Sequence, residues 1–551
     1  MRTHSITRRS CLAHAAAAVT ATAASWPWGP HRRLSATTTG TRATTETLTV
    51  LLNEPIRGMD GKPSVVSPLL HGHFVEHLGG VVYDGIWVGE SSTVPHVRGI
   101  RKAIIDSLRK IGPPVMRWPG GCFADAYHWR DGIGPREARP RRFGRWDEKT
   151  ESNSFGTHEF MDFCRQVAAE PYFAANVGSG TAREFQEWVE YCNAPAGRTT
   201  LADERVANND RDPFKIRFWG VGNENWGCGG TFTPEDYAAE YRKFTTWVPG
   251  YGVPLYLIAC GPTGNTPSHT DWTRRFMKKW RDGATAPLQG LSAHYYCGTS
   301  GTAMKFTTDQ WYDLLDAGNR MESFILESWA AMAETDPQHQ VKLVLDEWGC
   351  WHPDESRAIR EYSYSQPSTL RDALVAGLTL DTFHRHADKV SMGCVAQLVN
   401  CLQSLYLAVG DRFVETVNHH VFAMYRDHQG GTAVPIRTES EPIRFSLDGK
   451  PRSVFRVAGS ASLRDRTLTL TLVHTHASEP RNIAVRLAGG ARVREVAGTI
   501  LTHKELNAAD TFETPNEVIP REWKVAPPRP DGEWIVELPP AAVMRLRIGL
   551  A

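Results

Sequence analysis

Eight short apolar runs fill residues 71 to 430 and limit what this chain can fold into. Each is followed by Gly, Asn or charge and then by a helix-like stretch. The runs are "HGHFVE" (71–76), "PVMRW" (114–118), "PYFAANV" (171–177), "IRFWGVGN" (216–223), "LYLIAC" (255–260), "LSAHYY" (291–296), "VKLVLDE" (341–347) and "VSMGCVAQL" (390–398). The segments between them carry helix start signals. In "FTPEDYAAEYRKFTTWV", Thr233 reads as an N-cap, Pro234 as the first helical residue, and two acids fall in the first turn. "SHTDWTRRFMKKW" and "STLRDALVAGLTLDTFHRHA" read the same way. Eight strand-then-helix units predict a (β/α)8 TIM barrel over 71–430. The alternative is a doubly wound open sheet. That fold is expected to carry a Gly-rich phosphate loop, and no G-x-G-x-x-G follows an early strand.

The flanks differ from this rhythm. Over 431–551 the segments "SVFRVAGSASL", "TLTLTLVHTHA", "NIAVRLAG", "EWIVELPP" and "AVMRLRIGL" alternate apolar and polar residues between turns. They predict an antiparallel, jelly-roll-like β-sandwich. "TLTVLLN" (47–53) also alternates and has no place in a barrel, so 37–70 is expected to supply strands that complete the sandwich. Residues 1–36 set Arg8 and Arg9 ahead of an Ala-rich stretch with small residues that fit an A-x-A cleavage site. This reads as a twin-arginine signal with a linker, and predicts export to the periplasm or the medium; the alternative is a disordered extension.

Net charge is +1, so no global field favours nucleic acid or an anionic membrane, and neither is expected as a partner. Cys11 lies in the leader. The other nine cysteines (122, 164, 192, 228, 260, 297, 350, 394, 401) form no C-x-x-C pair. A zinc ribbon or disulfide scaffold is therefore not expected, and free buried thiols are compatible with twin-arginine export, which moves folded proteins. Eighteen Trp fit either a large core or flat faces that stack on sugars.

The chemistry lies at the run ends. Glu224 closes the fourth run in "VGNENWG" and Glu347 closes the seventh in "DEWGCW", each followed by a Trp. In a barrel of this kind the site forms at the C-terminal ends of the strands. Two carboxylates facing each other across that mouth, with aromatics beside them, suit glycoside hydrolysis: one protonated to help the leaving oxygen depart, one ionised to attack the anomeric carbon. A catalytic metal is a rival reading. His71 and His73 are two apart on a strand and share a face, while "HRH" (384–386) and "NHH" (418–420) add further imidazoles. No Asp/Glu/His set completes a site at recognisable spacing, so neither a metal nor another cofactor is expected. A non-catalytic sugar-binding protein on the same fold is a second rival, disfavoured because both glutamates are present.

At these residues a resemblance appears. "VGNENWG" resembles the Gly-Asn-Glu acid/base strand of glycoside hydrolases with (β/α)8 barrels, and "DEWGCW" resembles the nucleophile strand of glycoside hydrolase family 51, the α-L-arabinofuranosidases. "GHFVEHLGGVVYDGIWVG" (72–89), "RWPGGCFADAYHWRDGIGP" (117–135), "SFGTHEFMDFCR" (154–165), "EPYFAANVGSGT" (170–181) and "RHADKVSMGCVAQLVN" (385–400) occur in that family's order. The resemblance runs from about residue 48 to the C-terminus. It implies a barrel joined to a sandwich, Glu224 as general acid/base and Glu347 as nucleophile. It also implies a retaining mechanism, with the two carboxyls about 5 Å apart. The implied activity is exo-acting release of terminal non-reducing α-L-arabinofuranosyl residues from arabinan- or arabinoxylan-type chains. Other substrates for the same machinery are β-xylosides, galactofuranosides and β-glucans. Family members are often homo-oligomers, hexamers among them.

By position, Asn223 matches the residue that bonds the sugar 2-hydroxyl. Glu76 matches a residue bonding other hydroxyls, Tyr296 a tyrosine near the nucleophile, Gln397 a sugar-binding amide after the eighth strand, and Trp351 a subsite aromatic. Each also has a plain structural reading: a turn Asn, a salt bridge, packing, a buried amide and a packed Trp. Cys122 is a departure. Many family members read Pro-Gly-Gly-Asn-Phe where this chain has "PGGCF", and a thiol is a poor donor and weak acceptor for a sugar hydroxyl. A bound water in its place, or a different preferred sugar, is the expected consequence.

Overall fold

In the computed structural model, the described residues are 46–144, 149–282, 286–298, 300–353, 357–529 and 532–551. The export reading over 1–36 therefore lies outside the described residues. All eight apolar runs become strands of one closed parallel barrel: β1 (Gly72–Phe74), β2 (Val115–Trp118), β3 (Glu170–Ala175), β4 (Phe218–Val221), β5 (Tyr256–Ala259), β6 (Gly290–Gly298), β7 (Lys342–Trp351) and β8 (Val390–Val395). Each strand pairs with the next in sequence, and β8 closes on β1 through Cys394 opposite Gly72 and Val395 opposite His73. These strands are buried on both faces, which is why they read as near-continuous apolar runs and not as alternating ones. Among the described residues no helix is long and apolar enough to cross a membrane.

The helix after β4, Pro234–Thr245, begins as its sequence predicts, with the Thr233 side chain accepting from the Asp236 N–H. The helix Leu370–Arg385 is more unusual, because every residue from Leu370 to His384 is buried. It is buried all round although it carries Arg371, Asp372, Asp381 and His384, and it packs between the barrel and the sheet of the second domain.

That domain is a pair of mainly antiparallel sheets. One runs in the order Ile436–Glu439, Glu46–Leu51, Arg481–Ala488, Ile535–Leu538. The other contains Val457–Arg464, Thr467–His474, Ala542–Leu550 and Val493–Thr502. The N-terminal strand Glu46–Leu51 sits inside the first sheet, antiparallel to Ile436–Glu439 and parallel to Arg481–Ala488. Leu48 and Val50 are fully buried against Ile483, Val485 and Leu470, so the alternation of "TLTVLLN" marks one core-facing side.

Where the barrel meets the sandwich, three histidines form a buried chain. His71 Nε2 and His384 Nε2 are 3.0 Å apart, His384 Nδ1 meets Ser460 Oγ at 3.0 Å, and His428 bridges Ser462 (2.9 Å) and Thr471 (3.1 Å). Burial pushes His71, His73 and His428 down to about 3, and His384 well below its ordinary value. These groups are neutral in the folded protein and take up protons only on unfolding. Stability is therefore complete above an unfolded-state pKa of about 6.5 and falls as pH drops from there toward about 3, by about 1.4 kcal/mol per pH unit per histidine. Burial raises the carboxyls of Asp381 and Asp510 to about 6 and that of Asp125 to about 7, which works the other way, but His419, His420 and His474, pushed down to about 4, join the four histidines above and keep the balance on their side. The melting temperature should fall steeply between pH 6.5 and 4. A flat melting profile over that window would contradict this.

Candidate active site

The turn that delivers Glu224 is built from unusual backbone. β4 ends at Val221; Gly222 follows at φ 87° and Glu224 at φ 44°. Glycine takes the first conformation without cost, whereas a left-handed glutamate is held there by its surroundings. Asp125, fully buried, accepts from the backbone N–H of Asn223 at 2.7 Å and from Val177 and Gly178 at 2.8 Å. Burial nonetheless outweighs these donors and pushes the Asp125 carboxyl up to about 7. The turn is thus clamped from below by the loops after β2 and β3.

Glu347 lies within β7 and is completely buried. Between the two glutamates stands His294 of β6. Its Nδ1 is 2.9 Å from Glu224 Oε1 and 3.0 Å from Glu347 Oε2, and its Nε2 is 3.4 Å from Asp346 Oδ1. One oxygen of Glu224 and one of Glu347 lie within 4.8 Å of each other. Burial alone would push the imidazole down, but the carboxylates of Glu347, Asp346 and Glu224 outweigh it and raise His294 well above its ordinary value. It is an imidazolium wedged among three acids.

Arg117 of β2 supplies the second buried cation. Its Nη1 is 3.5 Å from Glu347 Oε1 and donates to the Asp346 carbonyl at 3.2 Å. Nη2 donates to Asn223 Oδ1 at 2.6 Å, and Nε is 3.4 Å from Asp346 Oδ2. Asp346 also accepts from Tyr172 Oη at 2.6 Å and Ser292 Oγ at 2.5 Å. Burial raises the Asp346 carboxyl, yet Arg117 and His294 reverse that and hold it below the usual range. Arg117→Met would leave Asp346 buried beside an apolar side chain, at a cost of about 3–5 kcal/mol in denaturant unfolding. An unchanged unfolding midpoint would contradict the pairing.

The other expected residues gather around this centre. Glu76 Oε1 accepts from the Phe123 N–H at 3.2 Å, and Oε2 accepts from Gln397 Nε2 at 2.9 Å, tying the loop after β1 to the segment after β8. Tyr296 packs edge-on against Trp351, with ring centroids 5.3 Å apart, and Trp351 packs edge-on against Tyr364 at 5.3 Å. Trp351 is half-buried.

One expectation needs correction, and one rival reading finds no support. Cys122 is not a free thiol but is bonded to Cys228, 106 residues away; seven other described cysteines are free and buried. The absence of a C-x-x-C pair carried no information here, because pairing follows the geometry of two turns that only the closed barrel brings together. His71 and His73 do not converge either. His71 faces His384, while His73 packs on Phe422 with ring centroids 5.0 Å apart.

Sequence reasoning passed over His294, Arg117, Asp346 and Asp125. The signal was present: "LSAHYY", "VMRW" and "VLDEW" each set a charged or titratable residue inside a buried run, the same anomaly that marked Glu224. A cavity of about 610 Å³ lined by Arg98, Arg136, Asp162, Arg165 and Asp210 includes none of the candidate residues.

The geometry can be set beside known proteins. Sequence profiles described as "Alpha-L-arabinofuranosidase 1 domain" and "Alpha-L-arabinofuranosidase C-terminal domain" match residues 107–308 and 346–542. An enzyme of Bacteroides ovatus named "Intracellular exo-alpha-L-arabinofuranosidase" is 37% identical over 497 residues, spanning 89% of this chain and 94% of its own. A Streptomyces lividans protein named "Intracellular exo-alpha-(1->5)-L-arabinofuranosidase" is 29% identical, spanning 83% of this chain and 69% of its own. The crystal structure of the family 51 arabinofuranosidase from Xanthomonas axonopodis pv. citri superposes with a TM-score of 0.84 at 35% identity, covering 91% of this chain and all of that one. These names overturn the expectation of export: both relatives are named intracellular, and the twin-arginine and secreted readings are withdrawn. The barrel, the sandwich and the extent of these matches place the chain in glycoside hydrolase family 51, the α-L-arabinofuranosidases.

Proposed function

We propose that this protein is a retaining, exo-acting α-L-arabinofuranosidase that releases terminal non-reducing α-L-arabinofuranosyl residues from arabinan- or arabinoxylan-type chains. The observation that carries the reading is the pair Glu224 and Glu347, one oxygen of each within 4.8 Å of the other at the ends of β4 and β7. That spacing leaves room for a sugar carbon but not for an intervening water, and so favours double displacement. The exo-acting names of the relatives support the substrate class. Their naming as intracellular supports short oligosaccharides, taken up by the cell, as the working substrates.

In the first step Glu347 attacks the anomeric carbon while Glu224 protonates the departing oxygen. The two environments differ in the required sense. Glu347 has Arg117 on one oxygen and the imidazolium of His294 on the other, so its negative charge is compensated. Among the described residues, the one cation that Glu224 meets is His294. In the second step Glu224 takes a proton from water, which releases the sugar from Glu347. Asn223 bonds the 2-hydroxyl, and Glu76 and Gln397 bond other hydroxyls, in contacts that strengthen at the transition state; the hydrogen bonds from Arg117 to Asn223 and from Gln397 to Glu76, which hold these side chains in fixed positions, support this. Trp351 offers an apolar face to the next sugar.

The test is proton NMR of the product in the first moments of hydrolysis of an aryl α-L-arabinofuranoside. The α-anomer should appear first and then mutarotate. First appearance of the β-anomer would overturn the mechanism. Inactivity on this substrate, with turnover of an aryl β-xyloside or galactofuranoside, would overturn the substrate class.

A further inference from the structure

Cys122 and Cys228 sit on the two turns that frame Glu224: "PGGCF" after β2 and "NENWGC" after β4. Their disulfide lies directly against the carboxylate, with each sulfur 3.6 Å from Glu224 Oε2. The opposite oxygen, Oε1, is held by His294 at 2.9 Å. Asn223 Nδ2 also approaches Cys228 Sγ, at 3.9 Å. Cys122 is buried and Cys228 is half-buried, so the Cys228 side of the bond is the more accessible one.

We propose that Cys122–Cys228 is a reversible thiol–disulfide site whose oxidised form holds Glu224 competent as a proton donor. The inference rests on the reading of Glu224 as the acid/base. Two physical effects support it. The bond ties the turn after β2 to the turn after β4, which fixes a glutamate in left-handed backbone that would otherwise relax. A disulfide sulfur also has no proton to offer. Two thiols at the same place would each present an S–H to Oε2 and stabilise the ionised carboxylate, the wrong state for protonating a leaving group.

The co-substrates are low-molecular-weight thiols and their disulfides. A thiolate RS⁻ attacks Cys228 Sγ; the bond to Cys122 breaks, RS–S–Cys228 forms, and Cys122 leaves as a thiolate that takes up a proton. A second RS⁻ attacks the mixed disulfide, releasing RSSR and the Cys228 thiolate, which is protonated in turn. The net change converts one protein disulfide and two RSH into two protein thiols and one RSSR. Excess RSSR drives the reverse.

The intact protein should be equilibrated in buffers of reduced and oxidised glutathione with a chelator present, alkylated, and mapped for Cys122 and Cys228. Its kcat/KM is then read on two aryl α-L-arabinofuranosides, one with an activated leaving group and one with a poor one. Reduction should lower the rate on the poor leaving group by about tenfold or more and leave the activated one within about twofold, because only the former needs the acid. Oxidised glutathione should restore it. Cys228→Ser should hold the reduced-form rates in every buffer. The inference is overturned if mapped reduction changes neither rate, if it lowers both equally, or if the pair resists reduction while the fold is intact. Glu224→Ala on the same two substrates separates the underlying reading. Equal loss on both would remove Glu224 as the acid, whatever the redox result. Selective loss with no redox response would sink only the present inference.

Discussion

Glu347→Gln should abolish turnover on every substrate, lowering kcat by on the order of 10⁴-fold or more, about 5.4 kcal/mol of transition-state stabilisation. The substitution keeps the shape of the side chain and removes only its power to form the glycosyl bond. Glu347 is fully buried between Arg117 and His294, so no solvent group stands ready to replace it. The loss should be independent of leaving group, since attack at the anomeric carbon is common to all substrates. Melting measured beside the wild type guards against a trivial cause. A folded Glu347→Gln protein with more than about a hundredth of wild-type kcat would contradict the assignment.

Glu224→Ala should behave differently. General acid–base assistance is worth about 10²–10⁴-fold, and that loss should appear in full on natural oligosaccharides, whose leaving groups are poor. On activated aryl glycosides the first step should be spared and the second should become limiting, because no group is left to deprotonate water. Added azide needs no base, so it should restore turnover and yield a glycosyl azide. Wild-type rates on oligosaccharides, or no response to azide on activated substrates, would show that another residue carries the proton.

Much of this was legible before any coordinates. The barrel was readable because a parallel strand covered on both faces must be apolar throughout, so each run stands out with its last residues at the mouth. Glu224 and Glu347 were readable for the same reason, as charges that a buried run would exclude unless they served the site. The strand Glu46–Leu51 was readable as an outlier to the barrel rhythm, although its partners Ile436–Glu439 and Arg481–Ala488 were not.

What escaped notice is what only closure of the barrel creates. His294 looks like one polar residue in an apolar strand until β6 is set between β5 and β7. Arg117 and Asp346 are 229 residues apart, and the arginine is explained only by meeting Asp346, Glu347 and Asn223 together. The Cys122–Cys228 bond likewise joins turns after β2 and β4, and no local spacing announces it. The export reading failed for another reason. It rested on local sequence pattern alone, and the two relatives named as intracellular contradict it.

The central claim is that Glu347 becomes covalently bonded to the sugar while Glu224 manages the proton. The most direct measurement is intact-protein and peptide mass spectrometry of Glu224→Ala mixed with an activated aryl α-L-arabinofuranoside, where the slow second step lets the intermediate accumulate. The account predicts a mass increase of one pentosyl unit, located on the peptide that contains Glu347 and lost on addition of azide. An adduct on any other residue, or rapid turnover with inverted product and no adduct, would contradict it.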